Sequence, residues 1–344
     1  MRRTILFTIL ALVALSASLP AQDAATAKVE TVVGGLSNPC GVAVQPKTGH
    51  VFVADSAAGR VIRIVEGKIE DVITGSPKDV YGKGPMYDIG PLGIAFIDEN
   101  TLVVGDGGYK DGEEFIRVFI VPAAGKAAID YDKDAKAKLG PLAAKGEEVK
   151  PEGNLYGVAL TDSAIYVTCN GDDTKGWVAK ATINGTKYGN LERYLPTKEA
   201  VEVDAPVGIT ISPRGEIVIG QMGEINKPND SLLTFYSAKT GKKILNLETG
   251  LHDITGLAYS PKGGLLYATD FAWMAEKDGG LFRLDSESKD GAQSIKATKI
   301  AGLDKPTAMA FAPDGTLYIT IVGPKKEGDN ASKEGSLVKI APGL

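Results

Sequence analysis

The sequence predicts an all-β fold, a six-bladed β-propeller closed by an N-terminal strand. One short pattern, a polar turn followed by a small residue and an apolar strand, occurs six times along the chain. Its equivalent positions are Gly41, Gly93, Gly157, Gly208, Gly256 and Ala308. Repeats of about 50 residues built from short strands are typical of propeller blades.

Each copy of the pattern continues in the same order, with a turn, a second strand and a third strand. Turns such as Ser212-Pro213-Arg214-Gly215 combine a proline that presets φ with a glycine that accepts the left-handed conformation. The second strands, for example Val51-Phe52-Val53-Ala54, are rich in β-branched and aromatic residues. A small residue near the start of each first strand is expected because six inner strands converge on one axis, where backbones approach closely.

The two ends of the chain predict how the ring closes. The segment 28–36 is similar to the segment 297–303 that precedes the sixth copy, and the sixth copy ends with its third strand near Ile340. We therefore expect the strand near Val29 to Val33 to supply the fourth strand of the last blade and to remove an exposed sheet edge. The long interval 123–152 is predicted to be an excursion from the second blade.

The first 21 residues indicate export. Arg2 and Arg3 precede the apolar run from Ile5 to Leu15, and small residues follow up to Ala21. This order is typical of a secretory signal, and the apolar run is shorter than the ~20 residues of a membrane-spanning helix. We expect a signal peptide at 1–21, a propeller at 22–344, no membrane span after cleavage, and a periplasmic or secreted monomer.

Composition narrows the function classes. The net charge of −5 becomes more negative when Arg2 and Arg3 are removed with the signal, which argues against nucleic-acid partners. Two cysteines, Cys40 and Cys169, cannot form a disulfide scaffold, and we expect both to be buried free thiols. Two histidines exclude sites that need several imidazoles.

Two repeats resemble known propeller families. The first, Pro39-Cys40-Gly41-Val42-Ala43-Val44 with Val51 to Ser56, resembles an NHL repeat, and the fifth, Gly256 to Pro261 with Leu266 to Asp270, resembles the gluconolactonase/regucalcin-like propellers. The resemblance implies a six-bladed fold and, in gluconolactonase-like enzymes, one divalent metal held by a Glu, an Asn and an Asp. Asp270 matches that Asp, whereas Asn38 and Thr255 stand where the Glu and the Asn would be.

One face of the predicted ring is the candidate binding face. In a propeller the beginnings of first strands and the ends of second strands lie on the same side, and here the long loops gather there. The predicted ligand-binding residues are Tyr156, Asn170, Gln221, Thr255, Trp273 and Tyr109.

Oxygen-bearing side chains on this face suggest a cofactor. Asp106, Asn170 and Asp270 could together bind Ca²⁺, which prefers carboxylate and carbonyl oxygens. The alternative is that these aspartates accept backbone N–H bonds in the loops that follow their strands. The segment Asp130-Tyr131-Asp132-Lys133-Asp134 begins like a calcium loop but lacks the later glycine and glutamate, so we interpret it as a solvated charged loop.

Two functions follow from these observations. The main hypothesis is a non-catalytic, exported propeller that binds a small ligand or a protein partner at the loop-rich face. The alternative is a divalent-metal-dependent hydrolase of lactone or ester bonds, in which a metal-bound water is the nucleophile. The replacement of two metal ligands of the family, at Asn38 and Thr255, favours the non-catalytic binding protein, whereas the retained Asp270 favours the hydrolase.

Overall fold

The computed structural model describes residues 27–82, 84–171, 176–289 and 291–344, and it is a six-bladed β-propeller. The predicted signal segment 1–21 lies outside the described residues. Within them, no helix is long and apolar enough to cross a membrane.

The first blade consists of antiparallel strands that run outward from the axis. A short 3-10 helix, Ser56–Ala58, connects its second and third strands. The strands from the start of the described chain through this blade are β1 (Val29–Leu36), β2 (Pro39–Val44), β3 (Val51–Asp55), β4 (Arg60–Val65) and β5 (Lys68–Thr74).

The second blade is preceded by a two-stranded hairpin, β6–β7, that belongs to no blade. The predicted excursion at 123–152 contains two short strands with different partners: β12 is the outermost strand of blade two, and β11 pairs in parallel with β5 of blade one. The strands are β6 (Asp79–Tyr81), β7 (Tyr87–Ile89), β8 (Pro91–Phe96), β9 (Thr101–Asp106), β10 (Ile116–Ile120), β11 (Ile129–Asp130) and β12 (Ala137–Leu139).

Blades three and four repeat the same antiparallel order, and a short helix connects them. Their elements are β13 (Leu155–Thr161), β14 (Ala164–Cys169), β15 (Trp177–Asn184), β16 (Lys187–Tyr188), β17 (Glu192–Pro196), α1 (Thr197–Val201), β18 (Pro206–Ile211), β19 (Glu216–Gln221), β20 (Leu232–Ser237) and β21 (Lys243–Glu248).

Blades five and six complete the ring, and blade five carries a long outer hairpin, β24–β25. The strands are β22 (Ile254–Tyr259), β23 (Leu266–Asp270), β24 (Gly280–Lys289), β25 (Ala292–Gly302), β26 (Pro306–Phe311), β27 (Leu317–Ile321) and β28 (Gly335–Ile340).

The predicted closure by the N-terminal strand is confirmed. Strand β1 pairs antiparallel with β28, so the sixth sheet has the order β1-β28-β27-β26. Leu36, at the end of β1, is completely buried in a core cluster with residues of blade one. The first and last parts of the chain therefore share one sheet, and that sheet packs on the first blade.

The inner strands β2, β8, β13, β18, β22 and β26 contact one another in sequence around the axis. A Cβ atom built at Gly41 would overlap the carbonyl oxygen of Leu92, and one built at Gly93 would overlap that of Tyr156. At Gly41 and Gly93 the absence of a side chain is thus required by the close approach of neighbouring inner strands, as the sequence indicated. The apolar core lies between the blades, in clusters that each combine residues of adjacent sheets.

Candidate functional site

The second residue of every inner strand points into one pocket at the mouth of the central channel. We call this the inner pocket, and its volume is about 70 Å³. The six residues contributed by the inner strands are Cys40, Leu92, Tyr156, Val207, Thr255 and Thr307. The repeat therefore places six unlike side chains at equivalent positions around the axis, which is how a regular scaffold produces a specific site.

Loops of several blades complete the wall of the inner pocket. The wall is mainly apolar and aromatic, and none of the described residues that line it is charged. The loop residues are Asn38, Tyr81, Tyr87, Ile89, Asn154, Asn170, Met222, Phe271, Trp273 and Val322. A pocket with this wall is suited to an uncharged group, because a charge buried there would have no adjacent counter-charge.

Tyr156 forms the floor of the inner pocket. Its hydroxyl donates a hydrogen bond of 3.0 Å to the carbonyl oxygen of Thr307, which belongs to the opposite side of the ring. A second, lower cavity in the channel shares Tyr156, Cys40 and Thr255 with the inner pocket. The phenol thus separates the mouth of the channel from the space below it, and burial raises its pKa well above the usual range.

Four aromatic rings meet at one side of the pocket. The ring of Trp273 lies 5.3 Å from that of Tyr87 at an angle of 87°, 5.0 Å from Phe271 and 6.1 Å from Tyr81. The carboxylate of Asp253 fixes the Trp273 backbone by accepting its N–H at 2.6 Å. The Trp273 indole nitrogen and the Tyr87 hydroxyl are both buried without a hydrogen-bond partner.

Three asparagines hold the rim together. The Asn38 side-chain amide donates to the carbonyl oxygens of Asp88 at 3.0 Å and of Asn330 at 2.7 Å, which joins three separate segments. Asn170 donates to the Tyr81 hydroxyl at 2.8 Å, and Asn154 donates to the Asn170 carbonyl. Because these amides bind other rim groups, they stabilise the loops that shape the opening.

A larger pocket of about 660 Å³ lies next to the inner pocket and shares Tyr81, Asn154, Asn170 and Met222 with it. We call it the outer pocket. Its wall contains both charged and apolar side chains. Lys198 and Asp204 form an ion pair of 2.8 Å, and Val80 and Met274 are exposed apolar side chains. A ligand seated by an apolar end in the inner pocket would place its remaining atoms here.

The structure does not bring the three predicted metal ligands together. Asp270 accepts backbone N–H bonds from His252, Asp253 and Ala272 at 2.8 to 3.1 Å, which is the capping arrangement given as the alternative. Only Asn170 of the three lines the inner pocket. Among the described residues, no three His, Cys, Asp or Glu side chains are grouped so that they could hold a metal.

Asp106 is hydrogen-bonded to buried side chains and does not line the inner pocket. Its carboxylate accepts from the Arg117 Nε atom at 2.8 Å and from the Tyr131 hydroxyl, and all three side chains are buried. Tyr131 belongs to the segment that we expected to be a solvated charged loop, and its complete burial shows that this expectation was wrong for that residue. The oxygens of Asp106 and Asp270 thus already accept hydrogen bonds, so the residues present do not fit a Ca²⁺ site.

Tyr156, Asn170, Thr255 and Trp273, four of the six predicted ligand-binding residues, line the inner pocket. Gln221 is completely buried and donates to the Val203 carbonyl oxygen, and it lines neither pocket. Tyr109 stacks on Arg117 with 5.2 Å between guanidinium and ring, and its hydroxyl binds Asp132. These two side chains support blades rather than the pocket wall.

Cys40 and Cys169 are both free and buried, as predicted. Cys40 lines the inner pocket, but burial raises its pKa to about 12. Its thiol is therefore protonated near neutral pH and is a poor nucleophile.

The hairpin β6–β7, which contributes Tyr81, Tyr87 and Ile89 to the wall, was not predicted from the sequence. The sequence does contain an indication of this hairpin. The stretch 75–90 separates the first blade from the second repeat, and it carries one tyrosine before and one after Gly84-Pro85. Its strands are only three residues long, so a period-two pattern cannot be recognised in them.

No known protein-family description and no curated protein matches this chain. Solved structures match almost all of it. PQQ-bound aldose sugar dehydrogenase from Streptomyces coelicolor has 16% identity and a TM-score of 0.61, with 94% of this chain and 100% of that chain covered. A gluconolactonase from Xanthomonas campestris has 15% identity and a TM-score of 0.56, with coverages of 92% and 90%.

The calcium-binding protein regucalcin from Agrobacterium tumefaciens has 13% identity and a TM-score of 0.54, with coverages of 92% and 94%. The structural neighbours thus include gluconolactonase and regucalcin propellers, as the resemblance in sequence implied. At these identities the likeness shows the six-bladed fold.

Proposed function

We propose that this protein binds a small organic molecule whose uncharged, apolar end enters the inner pocket while its polar end occupies the outer pocket. The observation that carries the proposal is the convergence of six inner-strand side chains and four aromatic rings on an uncharged cavity. The predicted signal at 1–21 supports an exported site of action.

The comparisons favour a small molecule over a protein partner. The structural neighbours include a sugar dehydrogenase and a gluconolactonase, both of which are enzymes with small substrates. The inner pocket is also too narrow for a protein segment, because about 70 Å³ is less than half the ~150 Å³ of a cavity that holds benzene.

Binding can be measured at Trp273 itself. The chain has two tryptophans, and only Trp273 lines the pocket. In protein labelled with ¹⁵N-tryptophan, 2-propanol, which is smaller than benzene, should shift the indole signal of Trp273 and leave that of Trp177 unchanged. The substitution Val207→Phe, which fills the pocket, should abolish the shift, whereas Val80→Phe on the exposed rim should preserve it. Equal responses of the two variants would contradict the proposed site.

A second candidate function is hydrolysis of a lactone or ester at the same mouth of the channel. The comparisons support this enzymatic alternative better than a scaffold role, because the neighbours named above include a gluconolactonase. The test is release of acid from glucono-δ-lactone and γ-butyrolactone, with and without Ca²⁺ or a chelator, with Asp270→Asn as the variant. Hydrolysis that requires Ca²⁺ and Asp270 would establish the enzyme; no hydrolysis under any condition would exclude these substrates.

A further inference from the structure

A single side chain divides the space along the propeller axis into two cavities. The inner pocket has a volume of about 70 Å³, and the lower cavity behind it has a volume of about 60 Å³. We propose that the Tyr156 phenol is the specificity-determining group of the inner pocket, because it ends the pocket and so limits the apolar end of the ligand to roughly three carbon atoms. This inference rests on the proposed function and adds the size of the group that the pocket accepts.

The first step is the position of the two cavities. The inner pocket is lined by the second residue of each inner strand, whereas the lower cavity is lined mainly by the residues that come next along these strands. In blade one Gly41 and Val42 line the lower cavity, and in blade six Ala308 and Met309 do so. The two cavities therefore lie one behind the other in the channel, with the level of Tyr156 between them.

The second step is the way in which Tyr156 spans the channel. Among the described residues, only Cys40, Tyr156 and Thr255 line both cavities, and Tyr156 has the largest side chain of the three. Its hydroxyl donates at 3.0 Å to the carbonyl oxygen of Thr307, so the phenol extends from blade three to blade six. Burial raises the pKa of Tyr156, so this hydroxyl stays protonated at neutral pH and the hydrogen bond is retained.

The third step is the packing that holds the ring in place. Tyr156 packs against two apolar clusters, one with Cys40 and Leu92 and the other with Val207 and Met222. The ring therefore has apolar neighbours from blades on both sides of its own. Displacement of the ring by a ligand would disrupt these contacts as well as the hydrogen bond to the opposite blade.

The fourth step is the size of the group that fits above the ring. An apolar cavity of ~150 Å³ holds benzene, and the inner pocket has less than half of that volume. It therefore admits roughly three carbon atoms. The fourth carbon of a linear chain would meet the Tyr156 ring, which separates it from the lower cavity.

Linear alcohols measure this limit, because each adds one methylene group to the apolar end and keeps a hydroxyl for the outer pocket. The series from ethanol to 1-hexanol is titrated into ¹⁵N-tryptophan-labelled protein, and dissociation constants are taken from the Trp273 indole signal. Trp177, which lines neither pocket, is the internal control. Affinity should rise roughly fourfold from ethanol to 1-propanol, as expected for one buried methylene group, and it should not rise further for the longer alcohols.

Two substitutions at one position separate the ring from its hydrogen bond. Tyr156→Ala removes the partition and joins the two cavities, so the gain of roughly fourfold per methylene group should continue to 1-pentanol or beyond. Tyr156→Phe keeps the ring and its packing and removes only the hydroxyl. With this variant 1-propanol should still be the longest alcohol that gains affinity.

The outcomes are distinct. A steady rise in affinity to 1-hexanol in the unmodified protein would overturn the limit and leave the proposed pocket intact. A limit at 1-propanol that a folded Tyr156→Ala variant does not move would mean that another group ends the pocket. If none of the alcohols perturbs Trp273, the proposed function itself fails. Should Tyr156→Ala not fold, a nuclear Overhauser contact between the terminal methyl group of 1-propanol and the Tyr156 ring decides the question in the unmodified protein, and its absence would contradict the inference.

Discussion

The hydroxyl of Tyr156 is hydrogen-bonded to the carbonyl oxygen of Thr307 across the propeller axis, over a separation of 151 residues in the chain. The two residues occupy the same position in the inner strands of blades three and six. One phenol therefore links opposite blades and at the same time forms the floor of the inner pocket.

This link can be tested by removing a single oxygen. Tyr156→Phe should lower the free energy of unfolding by about 1–3 kcal/mol, because the Thr307 carbonyl loses a buried donor. The matched control is Tyr87→Phe in the same pocket, which removes a hydroxyl without a partner and should leave stability unchanged or slightly higher. Urea unfolding of both variants measures the contrast, and equal losses would contradict it.

A second prediction concerns Asp270 and calcium. Asp270→Ala should destabilise the protein by about 1–3 kcal/mol, because three backbone N–H groups lose their acceptor. Addition of millimolar Ca²⁺ to the unmodified protein should leave the melting temperature nearly unchanged, since the carboxylate is already occupied. If Ca²⁺ did bind, a concentration of 100 times its dissociation constant would raise the free energy of unfolding by about 2.7 kcal/mol. If Ca²⁺ instead raises the melting temperature and Asp270→Asn abolishes that rise, the result would favour the metal-dependent hydrolase over the capping role of Asp270.

The inner pocket was predictable from sequence to the extent that it is built by the repeat. The small residue of each copy sets the register, so the residue before it, such as Cys40 before Gly41, could be assigned to the channel mouth. Thr255 and Tyr156 were found in this way. Because the pattern repeats, aligning the six copies shows which residue of each inner strand lies at the channel mouth.

The partners of the acidic side chains could not be predicted in the same way. Asp106 binds Arg117 on the next strand and Tyr131 in the excursion, 25 residues away in sequence. A sequence shows that a carboxylate ends a strand, but not which donor the packing of an irregular segment will bring to it. The roles of Tyr81 and Tyr87 were missed for the same reason, because their hairpin has no counterpart in the other repeats.

Ring closure leads to a third prediction. Leu36 is completely buried where β1 meets blade one, whereas Thr31 on the same strand is exposed. Leu36→Ala should cost about 2–5 kcal/mol through lost burial and the cavity left behind, and Thr31→Ala should change stability by less than about 0.5 kcal/mol. Thermal unfolding compares the two variants. A small loss at Leu36 would show that β1 contributes little to closing the ring.

The last prediction uses Glu114, which is 1% exposed. Burial, and then the nearby carboxylates of Asp106 and Asp111, raise its pKa to about 9 from an ordinary value of 4.5. The folded protein therefore retains a proton that the unfolded chain has released. As a consequence, stability should fall as the pH rises from about 4.5 to about 9, with a slope of at most about 1.4 kcal/mol per pH unit from this group. Asp253, whose pKa burial raises to about 7, adds a loss of the same sign up to that pH.

Glu114→Gln isolates the contribution of this carboxyl, because glutamine is neutral in both the folded and the unfolded state. The advantage in unfolding free energy of Glu114→Gln over the unmodified protein should grow steadily between pH 5 and pH 9 in urea titrations. Glu113→Gln changes the exposed neighbouring carboxyl and controls for the loss of one negative charge. If the Glu114→Gln curve instead runs parallel to that of the unmodified protein, the Glu114 side chain is ionised in the fold, and a cation must lie beside it.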